Sequence, residues 1–182
     1  MLSSSKLKKL SEEHKMGANH LAGFVSRGAL TQKKAASALR NWMKGLYKPK
    51  PRTEDIERIA GALGVEIKDI SQWQSSYKYA PSSPRKIRLV TELISGRNVQ
   101  DALDVLKFEH KRAARMVEQV LASAISNADE GEADVESLYV CQARVDGAGR
   151  RVGTKSWIAK DRGRAHPICK QASHIHITVT EE

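Results

Sequence analysis

The spacing of the apolar residues changes once along the chain, after residue 128. Before that point apolar residues recur every three or four positions, most regularly from Ala113 to Ala128, and this spacing predicts amphipathic helices. After it, residues 138–145 and 173–180 have the composition of strands, and the second segment alternates apolar and polar side chains. Helices followed by antiparallel strands predict an α+β fold.

Residues 144–170, between the two strand segments, are strongly basic. They contain eight Lys or Arg and two Asp, a net charge of +6. Strand signals on both sides and glycines inside predict one long hairpin, hereafter the basic arm. Such a hairpin cannot bury its own tip, and its cations repel each other unless a polyanion neutralises them. The basic arm therefore indicates a polyanionic partner, for which RNA is the best candidate.

The net charge of +10 is unevenly distributed over the 182 residues. Residues 1–80 carry +8 and residues 81–182 carry +2, so the second half is acidic outside the basic arm. A neutral-to-acidic body with basic projections is typical of nucleic-acid-binding proteins, the alternative being a basic surface kept for solubility. The sequence has no run of about 18 apolar residues, no secretory signal pattern and two cysteines. We therefore expect a cytoplasmic protein with no membrane partner.

The sequence predicts two domains joined by a linker. Residues 1–73 read as short helices and predict an all-α domain, with Thr31 as the cap of its third helix. The core-facing positions of that helix are Ala35, Leu39, Trp42 and Met43. Residues 74–82 are rich in Ser, Tyr and Pro and lack an apolar period, so they predict a linker. Residues 83–182 predict the α+β domain, whose first helix begins with Ser83 and Pro84.

Several short motifs in residues 80–182 occur together, in order, at familiar spacing. They are Ser-x-x-Lys-x-Arg-Leu-Val (83–90), Ala-Leu-x-x-Leu (102–106), the Lys-x-Ala helix (111–128), Gly163-Arg164-Ala165 and Ser173-His174-Ile175. With these motifs, the segment resembles the family of ribosomal protein twenty-two of the large subunit. The resemblance implies three helices packed on a small antiparallel sheet with a long extended β-hairpin.

The resemblance also implies a function and partners. In that family the globular part binds large-subunit rRNA, and the hairpin tip lines the wall of the nascent-peptide exit tunnel. The expected partners are large-subunit rRNA, neighbouring large-subunit ribosomal proteins and the nascent peptide near the tip. This chain departs from the family at the tip, since Ala159, Lys160 and Asp161 stand where members usually carry Pro-Arg-Ala, and the arm is a few residues longer.

We expect the rRNA contacts to come from helix starts, the basic arm and the last strand. Arginine suits bidentate phosphate contact and base stacking, glycine permits close backbone approach, and a helix N-terminus favours anions. The expected residues are Ser83, Arg85, Lys86, Arg88, Lys111, Arg150, Arg151, Lys155, Lys160, Arg162, Gly163, Arg164 and His174. Trp157, inside the arm, is either a base-stacking platform or a prop between the strands.

The N-terminal domain carries a second resemblance. Leu21-Ala22, the helix after Thr31 and residues 53–70 resemble the lambda-repressor/Cro type of helix-turn-helix, whose third helix enters a DNA major groove. The candidate nucleic-acid contacts there are Gln32, Lys33, Arg40, Asn41 and Lys44. Four interpretations stay open: phosphate contact without sequence readout, DNA-sequence reading as in a DNA-binding regulator, contact with a neighbouring protein, and a solvent-facing extension without a partner.

The sequence offers no arrangement typical of a catalytic or metal site. Cys141 and Cys169 lack the close cysteine partner that zinc sites usually have, and His174 and His176 fall on the polar side of a strand. We find no phosphate-binding Gly-rich loop with Lys-Ser/Thr and no plausible Ser-His-Asp pattern. We therefore expect no enzyme activity, no metal or other cofactor and no small-molecule substrate.

Overall fold

A computed structural model describes residues 1–25 and 31–181 of the chain. The chain divides into two compact units, Met1–Gln72 (unit 1) and Trp73–Glu182 (unit 2). Each unit has its own cluster of buried apolar side chains. The two units are therefore described separately.

The described part of unit 1 is helical. Its helices are α1 (Ser4–Glu13), α2 (Ala18–Val25), α3 (Gln32–Met43), α4 (Thr53–Leu63) and α5 (Ile67–Ile70). The predicted core positions of α3 are buried, except that Met43 is partly buried. The indole nitrogen of Trp42 donates a hydrogen bond to the carbonyl of Pro49, which satisfies the polar atom of this buried ring. Leu2 pairs with Ser71 in an isolated β-bridge, so the two ends of the unit lie side by side.

Unit 2 has the predicted α+β architecture. Its elements, in chain order, are β1 (Trp73–Ala80), α6 (Pro84–Ile94), α7 (Val99–Phe108), α8 (Arg112–Asp129), a 3-10 turn (Val135–Ser137), β2 (Leu138–Arg150), β3 (Trp157–Lys160), β4 (Arg164–Pro167) and β5 (Gln171–Glu181). Strands β1, β5 and β2 form an antiparallel sheet with β5 in the middle, while β3 and β4 form a separate two-stranded sheet.

The core of unit 2 lies between its helices and one face of the sheet. Ile175, Ile177 and Val179 of β5 are fully buried in the same apolar cluster as the inward residues of α6, α7 and α8. Thr178 and Thr180 alternate with them and are also buried. Thr178 has ladder partners on both sides, Gln74 of β1 and Gln142 of β2, whereas Thr180 pairs with Tyr139 of β2.

The predicted linker, residues 74–82, is wrong over most of its length. Residues 74–80 belong to β1, which pairs with β5 from Trp73↔Val179 to Ala80↔Ser173. Without β1, one edge of β5 would present unpaired backbone groups beside the core. The pairing with β1 supplies hydrogen-bond partners for those groups. No strand signal was visible in the sequence because β1 has no apolar alternation and only its two end residues are buried.

The basic arm is a hairpin built in two sections. The inner section continues the β2–β5 ladder as far as Arg150↔Gln171, after which the amide of Arg151 donates to the carbonyl of Lys170 at 2.8 Å. The outer section is the β3–β4 ladder, and the amide of Ile168 donates to the carbonyl of Ser156 at its base, at 2.7 Å. The arm is therefore a hairpin, as the sequence predicts, but its strand pairing is interrupted by a short irregular step that the sequence did not indicate.

Candidate nucleic-acid interface

A groove with basic walls lies where the arm leaves the body of unit 2. The starts of α6 and α8 form one side and the root of the arm forms the other. This basic groove is lined by Pro81, Ser82, Ser83, Lys86, Leu89, Lys111, Arg112, Ala113, Arg151, Cys169, Lys170 and Gln171. Five of these residues are cationic and none is acidic, so the groove suits an anionic ligand.

Two helix N-termini strengthen the positive potential of the basic groove. Ser83 is the N-cap of α6 and Lys111 is the N-cap of α8, and neither side chain caps its own helix with a hydrogen bond. Backbone N–H groups at a helix start carry partial positive charge and readily bind phosphate oxygens. Lysines and arginines beside two such ends make the groove a favourable place for RNA phosphates.

One acid close to the groove modifies this arrangement. Glu109 accepts a hydrogen bond from Nζ of Lys111 at 3.0 Å, and this hydrogen bond is the main cause that lowers the pKa of Glu109. Desolvation acts in the opposite direction. A phosphate that binds Lys111 would therefore share its ammonium group with Glu109. Since the pair is partly solvent-exposed, the competition costs little.

Arg150 holds the two sections of the arm together. Its Nη2 donates to the carbonyl of Ser156 at 2.9 Å and to the carbonyl of Ile168 at 3.2 Å, across the irregular step of the hairpin. We expected this side chain to contact rRNA, and its position shows a second role that the sequence did not indicate. Arg150 supports the arm from within, whereas Arg151 lies in the groove wall.

The tip of the arm is a tight turn that presents cations. Asp161, Arg162 and Gly163 all have positive φ, and the value of 90° at Gly163 suits only glycine well. Lys160 and Arg164 are direct partners in the β3–β4 ladder, and like charges placed opposite each other destabilise a strand pair. An anionic partner would relieve this repulsion.

The other expected rRNA contacts are spread around the groove and arm. Lys155 is exposed on the irregular step, and Arg85 is exposed on α6 without lining the groove. Arg88 donates through Nη2 to the carbonyl of Val145 at 3.4 Å, which ties α6 to the arm root. Trp157 is half exposed and pairs with Pro167, which fits both the stacking and the prop interpretation.

Two cations of the groove, and the contact between His174 and Tyr79, were not predicted from the sequence. Arg112 and Lys170 line the groove, and both could have been found because each adjoins an expected element, the long helix and the basic arm. His174 lies in β5, where its Nδ1 accepts a hydrogen bond from the amide of Tyr79 at 3.1 Å. Nothing in the sequence indicated that Tyr79 would lie beside His174, because residues 74–82 were predicted to be a linker.

In unit 1, the candidate contacts share the outer side of α3. Gln32, Lys33, Arg40 and Lys44 are exposed and Asn41 is half-buried. Arg40 donates to the side chain of Asn19 at 2.7 Å, and the amide nitrogen of Asn41 donates to the carbonyl of Lys48 at 2.8 Å. Two of the five side chains therefore already have partners inside the unit.

Among residues 1–25 and 31–181, no three His, Cys, Asp or Glu side chains are grouped so that they could hold a metal ion. In the same part of the chain no helix is long and apolar enough to span a bilayer. Cys141 and Cys169 are exposed and free. These residues therefore give no indication of a metal centre.

A small α+β body that extends a basic hairpin from a basic groove is typical of a protein that binds structured nucleic acid. The family described as ribosomal protein L22p/L17e matches residues 75–180, and the chain belongs to this family. Proteins of this family are structural rather than enzymatic, which confirms the prediction that the chain is not an enzyme.

Relatives from several bacteria carry the same likeness. The large ribosomal subunit protein uL22 of Geobacter sulfurreducens is 38% identical over 105 residues, which cover 57% of this chain and 92% of that protein. Its counterpart in Myxococcus xanthus is 38% identical over 107 residues, covering 57% of this chain and 91% of that protein. The uL22 of Aquifex pyrophilus is 41% identical over 127 residues, covering 65% of this chain and 92% of that protein.

Proposed function

We propose that this chain is a structural protein of the large ribosomal subunit in the cytoplasm. It binds large-subunit rRNA through the basic groove and the arm, stabilises the folded RNA and places the arm tip at the nascent-peptide exit tunnel. Its partners are the rRNA, neighbouring ribosomal proteins and the nascent peptide. The observation that carries this proposal is the groove, in which two helix N-termini meet five cations inside the region shared with the uL22 relatives.

The groove and the arm act on RNA in the same way. Lys86, Lys111, Arg112, Arg151 and Lys170 neutralise phosphates at the arm root, and each contact releases bound counterions from the RNA. Further out, the tip holds like charges that face each other and need an anion beside them. Structured rRNA supplies phosphates at both places, so a single partner can neutralise the cations of the groove and those of the tip.

Sedimentation of the tagged chain with ribosomal subunits tests this proposal. We expect the full-length chain to co-sediment with large subunits through a salt-washed gradient and to be absent from small subunits. A Lys86→Ala, Lys111→Ala, Arg112→Ala variant should be depleted from that peak, whereas Lys107→Ala on α7, outside the groove, should behave like the unchanged chain. Failure of the unchanged chain to sediment with large subunits would overturn the proposal.

For unit 1 we propose contact with RNA phosphates through the outer side of α3. The support is the excess of basic residues in 1–80 and the exposed positions of Lys33 and Lys44, together with the internal hydrogen bonds of Arg40 and Asn41. Filter binding with random-sequence RNA and duplex DNA tests this role. Equal affinity among duplex sequences supports phosphate contact, while a strong preference for one DNA sequence favours a DNA-binding regulator.

A further inference from the structure

Two aromatic rings lie together at the end of the β1–β5 ladder. The ring of Tyr79 meets the ring of His174 edge to face, with a centroid distance of 4.8 Å and an interplanar angle of 75°. Tyr79 remains 69% exposed despite this contact. A large aromatic side chain that is held by a neighbour and still open to solvent offers a flat face to a ligand.

The backbone holds Tyr79 in an unusual conformation. Its φ is 58°, in the left-handed region that aromatic residues rarely adopt, and it sits where the β1–β5 register shifts between Tyr77 and Ala80. Its amide donates to Nδ1 of His174 at 3.1 Å. Because Nδ1 is the acceptor, the ring proton of neutral His174 lies on Nε2, which is left as a donor. The fold therefore fixes both rings.

The charges around the two rings are mainly positive. His176 lies next to His174, with ring centroids 6.5 Å apart. Burial is the main cause that lowers the pKa of His176, and the nearby cations Arg144 and Lys78 lower it further, while Asp146 acts in the opposite direction. Asp146 is paired with Arg144 at 2.9 Å and lies 3.6 Å from Nε2 of His176. The surroundings therefore favour a ligand that combines a flat ring with negative charge.

The ring pair adjoins the basic groove along both strands that carry it. Tyr79 lies two residues before Pro81, and His174 lies three residues after Gln171, both of which line the groove. The hydroxyl of Ser173 donates to the carbonyl of Ser82 at 3.0 Å and fixes the two segments together. The segments that carry the two rings therefore continue along the chain into the lining of the groove.

We propose that Tyr79 and His174 form a stacking site for one unpaired base of RNA. The base lies on the exposed face of Tyr79, Nε2 of His174 donates to an acceptor on the base or its sugar, and Lys78 and Arg144 neutralise the flanking phosphates. Paired bases inside a duplex do not expose their faces, so the site selects a single-stranded nucleotide. This inference rests on the proposed rRNA binding, and it adds that the bound rRNA has an unpaired nucleotide at this site.

A fluorescent RNA tests the stacking site in the full-length chain. The probe is a 12-nucleotide single-stranded RNA with a central 2-aminopurine, compared with the same RNA annealed to its complement. Tyr79→Asn removes the ring but tolerates the left-handed backbone, and Tyr79→Leu keeps apolar bulk without a π face. Tyr79→Phe keeps the ring and is the matched control.

We expect the unchanged chain and Tyr79→Phe to change the 2-aminopurine emission of the single strand, while Tyr79→Asn and Tyr79→Leu bind it about 10-fold more weakly without that change. Affinity for the duplex should be the same in all four proteins. Equal binding of the single strand by Tyr79→Leu and the unchanged chain would overturn the stacking site, and so would an unchanged emission in the wild-type complex. Neither result would contradict the proposed function, which is contradicted only if the chain does not co-sediment with large subunits.

Discussion

The carboxylate Oδ2 of Asp161 lies 2.9 Å from Nε2 of His166 at the tip of the arm. The pair crosses the turn between β3 and β4, whose residues 161–163 all have positive φ. The acid that departs from the family pattern therefore has a partner within the arm. Its charge is directed to His166, and the cations of the tip stay available to an anionic ligand.

Replacing Asp161 with Asn should loosen the turn without unfolding the chain. Both side chains are well exposed, so the pair contributes at most about 1 kcal/mol, which corresponds to roughly a five-fold rise in amide exchange across residues 160–166. Hydrogen exchange measures this rise. Glu130→Gln, in an exposed loop, makes the same change in net charge and should leave the tip unaffected. Equal exchange in both variants would show that the pair does not order the turn.

Removing arm cations should reduce the salt dependence of rRNA binding. A variant with Arg151→Ala, Arg162→Ala and Arg164→Ala should lower the slope of log K against log salt by roughly 0.7–0.9 for each phosphate that the variant no longer neutralises. Titration of large-subunit rRNA at several salt concentrations measures the slope. The control is Lys107→Ala, which removes a cation that is paired with Asp104 on α7. An unchanged slope would mean that these arginines do not bind phosphate.

Arg150→Ala should weaken the arm rather than the body of unit 2. The substitution removes both hydrogen bonds that cross the irregular step, each contributing of the order of 1 kcal/mol or less at this exposed site. We expect faster amide exchange in residues 157–168 and a nearly unchanged Tm. Arg151→Ala is the matched control, because the backbone hydrogen bond of Arg151 remains. If the two variants exchange alike, Arg150 does not support the arm.

Gly131→Ala should destabilise unit 2. A Cβ at this position would overlap the indole nitrogen of Trp73, a buried residue, and also crowd the carbonyl of Ala128. Overpacking of this kind costs about 1–3 kcal/mol, which thermal unfolding followed by tryptophan fluorescence detects. Gly61→Ala provides the contrast, since open space surrounds that helical position and alanine favours helix by about 0.5–1 kcal/mol. A Gly131→Ala variant as stable as the unchanged chain would contradict the packing.

The stability of unit 2 should fall as the pH drops below the ordinary pKa of histidine. Burial lowers the pKa of His176 in the folded chain, with Arg144 adding to the effect, so the unfolded chain binds a proton first as pH falls. The contribution of His176 to the free energy of unfolding is therefore greatest above about pH 6.5. It decreases as the pH falls from there to the pKa that His176 has in the folded chain. His176→Gln should reduce the difference in Tm between pH 7.5 and 5.5, whereas His110→Gln, exposed after α7, should not. The same loss in all three proteins would assign the effect to other groups.

The helices and the central strand could be predicted from sequence because burial leaves a periodic signal. Ile175, Ile177 and Val179 face one core, so they alternate, and the buried positions of α3 repeat at helical spacing. Strand β1 could not be predicted in this way. It is an edge strand whose pairing depends on backbone hydrogen bonds, and only its end residues Trp73 and Ala80 are buried.

The charge of the interface was visible in the sequence, but its geometry was not. Counting cations locates the arm, yet it cannot separate Arg150, which bonds to carbonyls, from Arg151, which lines the groove. Nor can it bring Ser83, Lys111 and Arg151 to one groove, since they are far apart in the chain. The pairing of Tyr79 with His174 likewise depends on the β1–β5 register.

A cryo-EM map of large ribosomal subunits that contain this chain tests the central claim most directly. We expect density for residues 73–181 on the rRNA, with RNA phosphates in the basic groove and the arm tip at the exit tunnel. A map in which the groove of the bound chain faces solvent, or in which the arm lies away from rRNA, would contradict it.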